Sequence, residues 1–466
     1  MKDETLYTLF RDFVFDIYPL LDPALEKKWI KNRYDKYPSL KYRDNGMPYL
    51  SNYSHNAPYN ITDLFRGWGG KADIEIKEFQ SYKELEAYLL NHKEYRETIY
   101  PTNKEGLDRK RFDWMAIQVI EDILERYYLL NKSKQQDETL FQSIYMEFEH
   151  YTYTENLEFD IAIPILFLQF EESEHVINDG MLIRRIGDDY QRARFNVRST
   201  SSLMRDSVIA GATHELVFKN WHIKKEKKYA DTSLSNEKAF PIAQFELFFN
   251  AIKIATNYNS GFAQILIYPK GWADFYSMDL PPLSGLTVRK YPNVFDDHSW
   301  NDSSVPVITS AETQRIASIY ENLLTSDKNK IQFANKRLRS SYLRDNEEDT
   351  ILDIIIALET LLSDNDKGEL THKLAMRTAK LLSVYNKKHN VMHVFQAIKK
   401  IYSYRSAVVH GTGKADSKRE IKLHNEADPI PAISLANDYL REVLGIMIEH
   451  PEYLNAEEVD RLLLEG

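Results

Sequence analysis

Near the C-terminus of this 466-residue chain, Arg405 and His410 have the types and spacing to move a proton beside a phosphate. They lie in the run Tyr404-Arg405-Ser406-Ala407-Val408-Val409-His410-Gly411. Imidazole gains or loses a proton near neutral pH, its unperturbed pKa being about 6.5. A guanidinium stays charged and grips an oxyanion through paired N–H donors, so it can hold charge that gathers on phosphorus in a transition state.

The element that positions them reads as a helix. Ala397, Ile401, Tyr404 and Val408 form one apolar stripe at helical spacing, and Gly411 is placed to end the helix, which puts His410 in its last turn. The negative end of a helix dipole favours a cation there by about 0.3–1 kcal/mol, which suits a proton donor. Five residues at about 100° each set Arg405 and His410 roughly 140° apart around an ideal helix. Either the helix breaks before His410, or residues of two protomers combine.

Two further segments precede this one. The first is Asp353-Ile354-Ile355-Ile356-Ala357-Leu358-Glu359-Thr360-Leu361-Leu362. The second is Glu369-Leu370 followed by Lys373-Leu374-Ala375-Met376-Arg377-Thr378-Ala379-Lys380-Leu381-Leu382. With the Ile398–Gly411 segment, and a lead-in of Phe333-Ala334-Asn335-Lys336-Arg337-Leu338 and Glu347-Glu348-Asp349, this order resembles HEPN domains, most closely the ApeA-like branch of bacterial antiphage proteins. The resemblance covers about residues 330–455.

The resemblance implies a metal-independent endoribonuclease without cofactor, Arg405 and His410 being its catalytic pair. The substrate's 2′-hydroxyl attacks in line, leaving a 2′,3′-cyclic phosphate and a 5′-hydroxyl, in a cleft shared by two protomers. It further implies a homodimer or larger homo-oligomer acting as the toxin of abortive infection. RNA would be the substrate, tRNA being one option, and a phage-derived trigger would be sensed by the N-terminal part. Ser406 stands where many members carry Asn, Asp or His, and Thr412 where toxins silenced by nucleotide transfer carry Tyr. The alternative is a non-catalytic HEPN module that binds nucleotides or a partner.

Supporting roles are expected for Ser406, Tyr404, Glu359 and Arg377. Glu359 sits on an apolar helix, where a buried carboxylate needs a partner, and Arg377 is the natural one. RNA contact is expected from Lys399, Lys400, Lys414, Lys418 and Arg419. A second basic run, Lys328, Lys330, Lys336, Arg337, Arg339 and Arg344, holds no acidic residue.

The net charge of −10 and pI of about 5.8 exclude a protein that coats nucleic acid over its whole surface, but not a local basic cleft. Without cysteine there are no disulfides, thiolate metal sites or cysteine nucleophiles. The first residues lack a signal-peptide pattern, and apolar runs such as Ile161–Phe170 are too short to span a bilayer. A cytoplasmic protein with no membrane partner is expected.

Residues 1–310 read as a mixed α/β sensor or regulatory region, with a cut near 150 as an option. Residues 311–466 read as an all-α HEPN-type bundle. The fold class is therefore α+β followed by helices. Helices are expected at 113–130, with Asp113 as N-cap, and at 241–258. Strands are expected at 159–167, 181–186, 215–223 and 262–268, and an irregular stretch at 34–59. Seven helices follow, near 311–325, 328–343, 348–363, 369–386, 391–409, 433–449 and 456–464. His389 and His393 at i, i+4 lack the acidic residue of a zinc helix. Gly67-Trp68-Gly69-Gly70 lacks the ending of a phosphate loop. Neither these nor His214, Glu215 and His222 define a site.

Overall fold

A computed structural model describes residues 1–27, 37–51, 61–66, 71–95, 109–133, 135–197, 204–225, 234, 236–297, 303–326, 329–364, 369–410, 415–423 and 428–465, with backbone alone at 66 and 109–117. The chain forms two compact units, and neither is continuous in sequence. One comprises Met1–Pro164, Asn178–Phe240 and Ala263–Arg289; the other comprises Ile165–Ile177, Pro241–Phe262 and Lys290–Gly466. The division thus falls at several points rather than at one near 310.

The first unit is α+β. Its longer helices are α1 (Glu4–Lys27), α2 (Gln80–Asn91), α3 (Arg109–Leu130), α4 (Glu138–Tyr153) and α5 (Asp188–Asn196). On α1, Leu6, Phe10, Phe13, Val14, Ile17 and Leu21 recur at three- and four-residue steps and are all buried. They share a core with Tyr82, Leu85, Tyr127, Phe141 and Tyr145. The rings meet edge to face, as for Tyr7 and Tyr145 with centroids 5.2 Å apart at 75°. Helix α3 begins four residues before Asp113, so that residue lies inside it rather than capping it.

A hairpin of β1 (Ser39–Tyr42) and β2 (Pro48–Ser51) falls within the stretch expected to be irregular. Its turn is local chemistry: Asn45 Oδ1 accepts from Met47 N–H, and Gly46 takes φ 80°. The main sheet is six-stranded, with β3 (Asn156–Ile165), β4 (Glu174–Asn178), β5 (Met181–Arg185), β6 (His214–Lys224), β7 (Phe262–Pro269) and β8 (Ser284–Lys290) in the order β4-β5-β6-β3-β7-β8. Central strand β3 is buried at nearly every residue from Phe159 onward, which is why its sequence is apolar on both faces. It stops at Ile165, short of the expected Phe167, which adopts φ 53°. On β8, Gly285 has φ 154°, and a Cβ there would lie 2.3 Å from the Ile265 carbonyl oxygen, so only glycine fits.

The second unit is helical: α6 (Ile242–Thr256), α7 (Ser310–Thr325), α8 (Lys330–Leu343), α9 (Glu347–Leu362), α10 (Leu370–Tyr385), α11 (Val391–Val409), α12 (Ala432–Glu449) and α13 (Ala456–Leu464). All seven helices expected after 310 match to within two residues at each end. Their starts are set by side-chain caps. Thr309 and Glu312 form a reciprocal capping box on α7, and Asn346 accepts from the N–H groups of Glu348 and Asp349 on α9. Helix α12 is the axis of the unit. Tyr439, Leu440, Val443, Leu444, Ile446, Met447 and Ile448 are all buried, and six other helices of the unit lean on it. Among the described residues no helix is long and apolar enough to cross a membrane.

Candidate functional site

Helix α11 carries the site. Asn390 caps its start by accepting from Met392 and His393 N–H. Its packed face is Val394, Ala397, Ile398, Ile401, Tyr404 and Ala407. Ala407 takes the place expected for Val408, which is half-buried, because the stripe advances by three residues after Tyr404. The helix does not break before the histidine. It runs to Val409, and His410 is its C-cap, at φ −86° and ψ 1°, donating its N–H to the Ser406 carbonyl at 3.1 Å. The His410 side chain is exposed. Gly411 lies outside the described residues.

Arg405 is half-buried. Its Cζ lies 5.7 Å from the centroid of the Tyr402 ring, three residues back on the same helix. Its Nε is buried without an acceptor, and no described residue accepts a hydrogen bond from the guanidinium. An unsatisfied buried donor costs about 1–3 kcal/mol. The charge is held by an aromatic face instead of by carboxylates.

Tyr402 ties this arginine to the rest of the bundle. Burial raises its phenol above the ordinary tyrosine value. The charge of Glu359 and a side-chain hydrogen bond with it push the same way, while Arg405 and Thr371 oppose them. Sequence reading missed Tyr402. The available signal was its i, i+3 relation to Arg405, which places the two on one face.

Glu359 was expected to pair with Arg377 and does not. It is half-buried on α9 and meets Tyr402. Arg377 is fully occupied elsewhere. Its Nε donates to Asp460 Oδ1 at 2.8 Å and its Nη1 to the Leu362 carbonyl at 2.6 Å, while Nη2 donates to Asp364 and Asp460 at 2.7 Å each. That arrangement holds Asp364 down to about 2, first through its hydrogen bond with Arg377. Tyr404 lies off the Arg405 face, buried where burial and the charge of Glu347 raise its phenol. Ser406 is half-buried, and its hydroxyl has no partner among the described residues.

The basic residues expected to meet RNA divide into three groups. Lys399 and Lys400 are exposed on α11; the first lies 5.4 Å from the Phe395 ring centroid and the second donates to the Lys422 carbonyl. Lys418 and Arg419 are engaged, Lys418 with Ser403 Oγ at 2.8 Å and Arg419 with Glu347 at 2.5 Å. Lys414 lies outside the described residues. The second basic run is largely neutralised. Arg337 and Arg344 meet buried Asp353, Arg339 meets Glu246, Lys330 caps the Leu454 carbonyl, and Lys336 remains exposed. Lys328 is not among the described residues.

Of the discounted residues, His389 and Glu215 have structural partners, and Gly67-Trp68-Gly69-Gly70 lies outside the described residues. His389 Nε2 meets Glu442 at 2.8 Å. Buried Glu215 accepts from Arg184 at 2.8 Å and from the Tyr268 hydroxyl at 2.5 Å, so both carboxylate oxygens are filled. Among the described residues no group of three or more His, Asp or Glu could hold a metal ion. The first unit has a cavity of about 670 Å³ beside β8, whose lining includes Asn196, Glu237, Phe275, Ser277 and Thr287. No basic side chain is among its described lining residues, so it offers no charge for a phosphate.

No family model, no curated protein and no solved structure matches the chain.

Proposed function

We propose that the chain is a HEPN-type, metal-independent endoribonuclease in which Arg405 binds the scissile phosphate and His410 transfers the proton. One observation supports this most. In a unit where most other arginines are paired with carboxylates, Arg405 has no acceptor among the described residues, on the helix that ends in exposed His410. Attack by the 2′-oxygen needs one proton removed there and one delivered to the departing 5′-oxygen, which imidazole does near neutral pH. The equatorial phosphoryl charge is met by the guanidinium. A helix unbroken through Val409 keeps the two side chains roughly 140° apart, so the active cleft combines residues of two protomers. A toxin role in antiphage defence, triggered through the α+β unit, rests on the motif resemblance alone.

The test is cleavage of total RNA and tRNA in EDTA by wild type, Arg405→Ala and His410→Ala, with the ends mapped. Wild type should leave 2′,3′-cyclic phosphates, and each variant should lose at least about 10²-fold. Equal cleavage by all three rules the site out. Self-association without cleavage under any trigger assigns the non-catalytic module instead.

A further inference from the structure

The Arg405 side chain has no acceptor to fix it among the described residues, yet a phosphate-binding guanidinium must be held in one orientation to act. A long, flexible side chain does not hold still by itself. The only described neighbour that holds it is Tyr402, whose ring centroid lies 5.7 Å from Cζ. Its phenol also feels the charge of Glu359 on α9 and a side-chain interaction with Thr371 on α10.

We infer that Tyr402 is the positioning residue for Arg405, its ring carrying the guanidinium. The inference rests on the proposed reaction for its purpose and on the 5.7 Å approach of ring and guanidinium for its content. Contact with a ring face leaves the terminal Nη donors free, whereas a carboxylate in the same place would compete with the substrate. Glu359 acts one step removed, through its effect on the phenol. It does not touch the arginine, so the positive charge is not neutralised.

The test compares Tyr402→Phe, Tyr402→Trp and Tyr402→Leu in the full-length chain, with circular dichroism to normalise for folded protein. Loss of the ring in Y402L should lower kcat by roughly 10–100-fold with KM nearly unchanged, as for a reacting group displaced by about an ångström. Y402W should recover most of that loss, and Y402F should fall between, by roughly 3–10-fold. A merely structural role would change thermal stability and leave kcat per folded molecule alone. A wild-type kcat in Y402L, with Arg405→Ala inactive, overturns this inference while sparing the proposed function.

A readout without activity keeps the two apart. In side-chain NMR the Arg405 Hδ and Hε resonances should carry a ring-current shift in wild type and Y402F that disappears in Y402L. No such shift in wild type overturns the inference even if RNA is cleaved.

Discussion

Arg377 and Arg405 sit on neighbouring helices of one unit, and their surroundings are opposite. Arg377 is 2% exposed and donates to two carboxylates and a carbonyl, closing α10 onto the end of α9 and onto α13. Arg405 has an aromatic ring beneath it and an unsatisfied Nε. The first is an arginine whose hydrogen bonds are used for the fold. The second is one whose charge the fold leaves available. Arg194, in the α+β unit, marks the extreme of the first kind. It is wholly buried among the carbonyls of Ile209, Ala210 and Ala212 and the side chains of Gln191 and Gln264, and burial lowers it to about 10. Arg377 and Arg194 are thus consumed by the fold, whereas no described carboxylate meets Arg405.

The contrast is broken most directly by exchanging the two losses. Arg405→Ala should lower RNA cleavage by roughly 10²–10³-fold while shifting the urea midpoint little, because a poorly satisfied group is removed. A large stability loss from R405A, with cleavage intact, would reverse the assignment. Arg377→Met should do the opposite, destabilising the chain by about 3 kcal/mol because it leaves the Leu362 carbonyl unpaired in a closed site. Its effect on kcat per folded molecule should be small, and a kcat collapse at full stability would show that Arg377 serves the reaction.

A smaller effect lies in the Asp353 cluster. This carboxylate is 3% exposed and meets both Arg337 and Arg344. Asp353→Asn should cost about 1–3 kcal/mol, measured by urea unfolding, and no loss would mean that these arginines are free to meet RNA.

The smallest effect is a matter of pH. Asp364 is held down to about 2, below the ordinary aspartate value of 3.8, because the folded chain binds its charged form through Arg377 and Lys373. Its stabilising contribution is therefore fully present above about pH 3.8 and is lost as pH falls through about 2. Wild type and Asp364→Asn should differ in acid stability above that window and converge below it. A constant difference across the whole range would remove Arg377 as the cause.

Much of the helical unit was legible in the sequence because its helices are amphipathic and sharply capped. Thr309 with Glu312, Asn346 and Asn390 mark starts by side-chain chemistry that acts within three residues. The α+β unit was read less fully. Helix α1 contains Pro19 and Pro23, and the hairpin of β1 and β2 sits in a Tyr- and Pro-rich stretch, so local signals conflict with what tertiary packing imposes. The candidate pair, Arg405 and His410, was visible from type and spacing. The partner of Glu359 was not, because Tyr402 and Arg377 are both plausible at the level of composition, and Asp460 lies 83 residues from Arg377.

The sequence by itself determined that a helix ends at an arginine and a histidine five residues apart, because helical period and residue chemistry are local properties. Only the tertiary structure decided which arginine is consumed and which is left poised. That depends on where the carboxylates of other elements arrive: Asp364 and Asp460 reach Arg377, and none of the described ones hydrogen-bonds to Arg405. Hydrogen bonds and ion pairs act over a few ångströms in space, and the fold sets those distances without regard to separation along the chain.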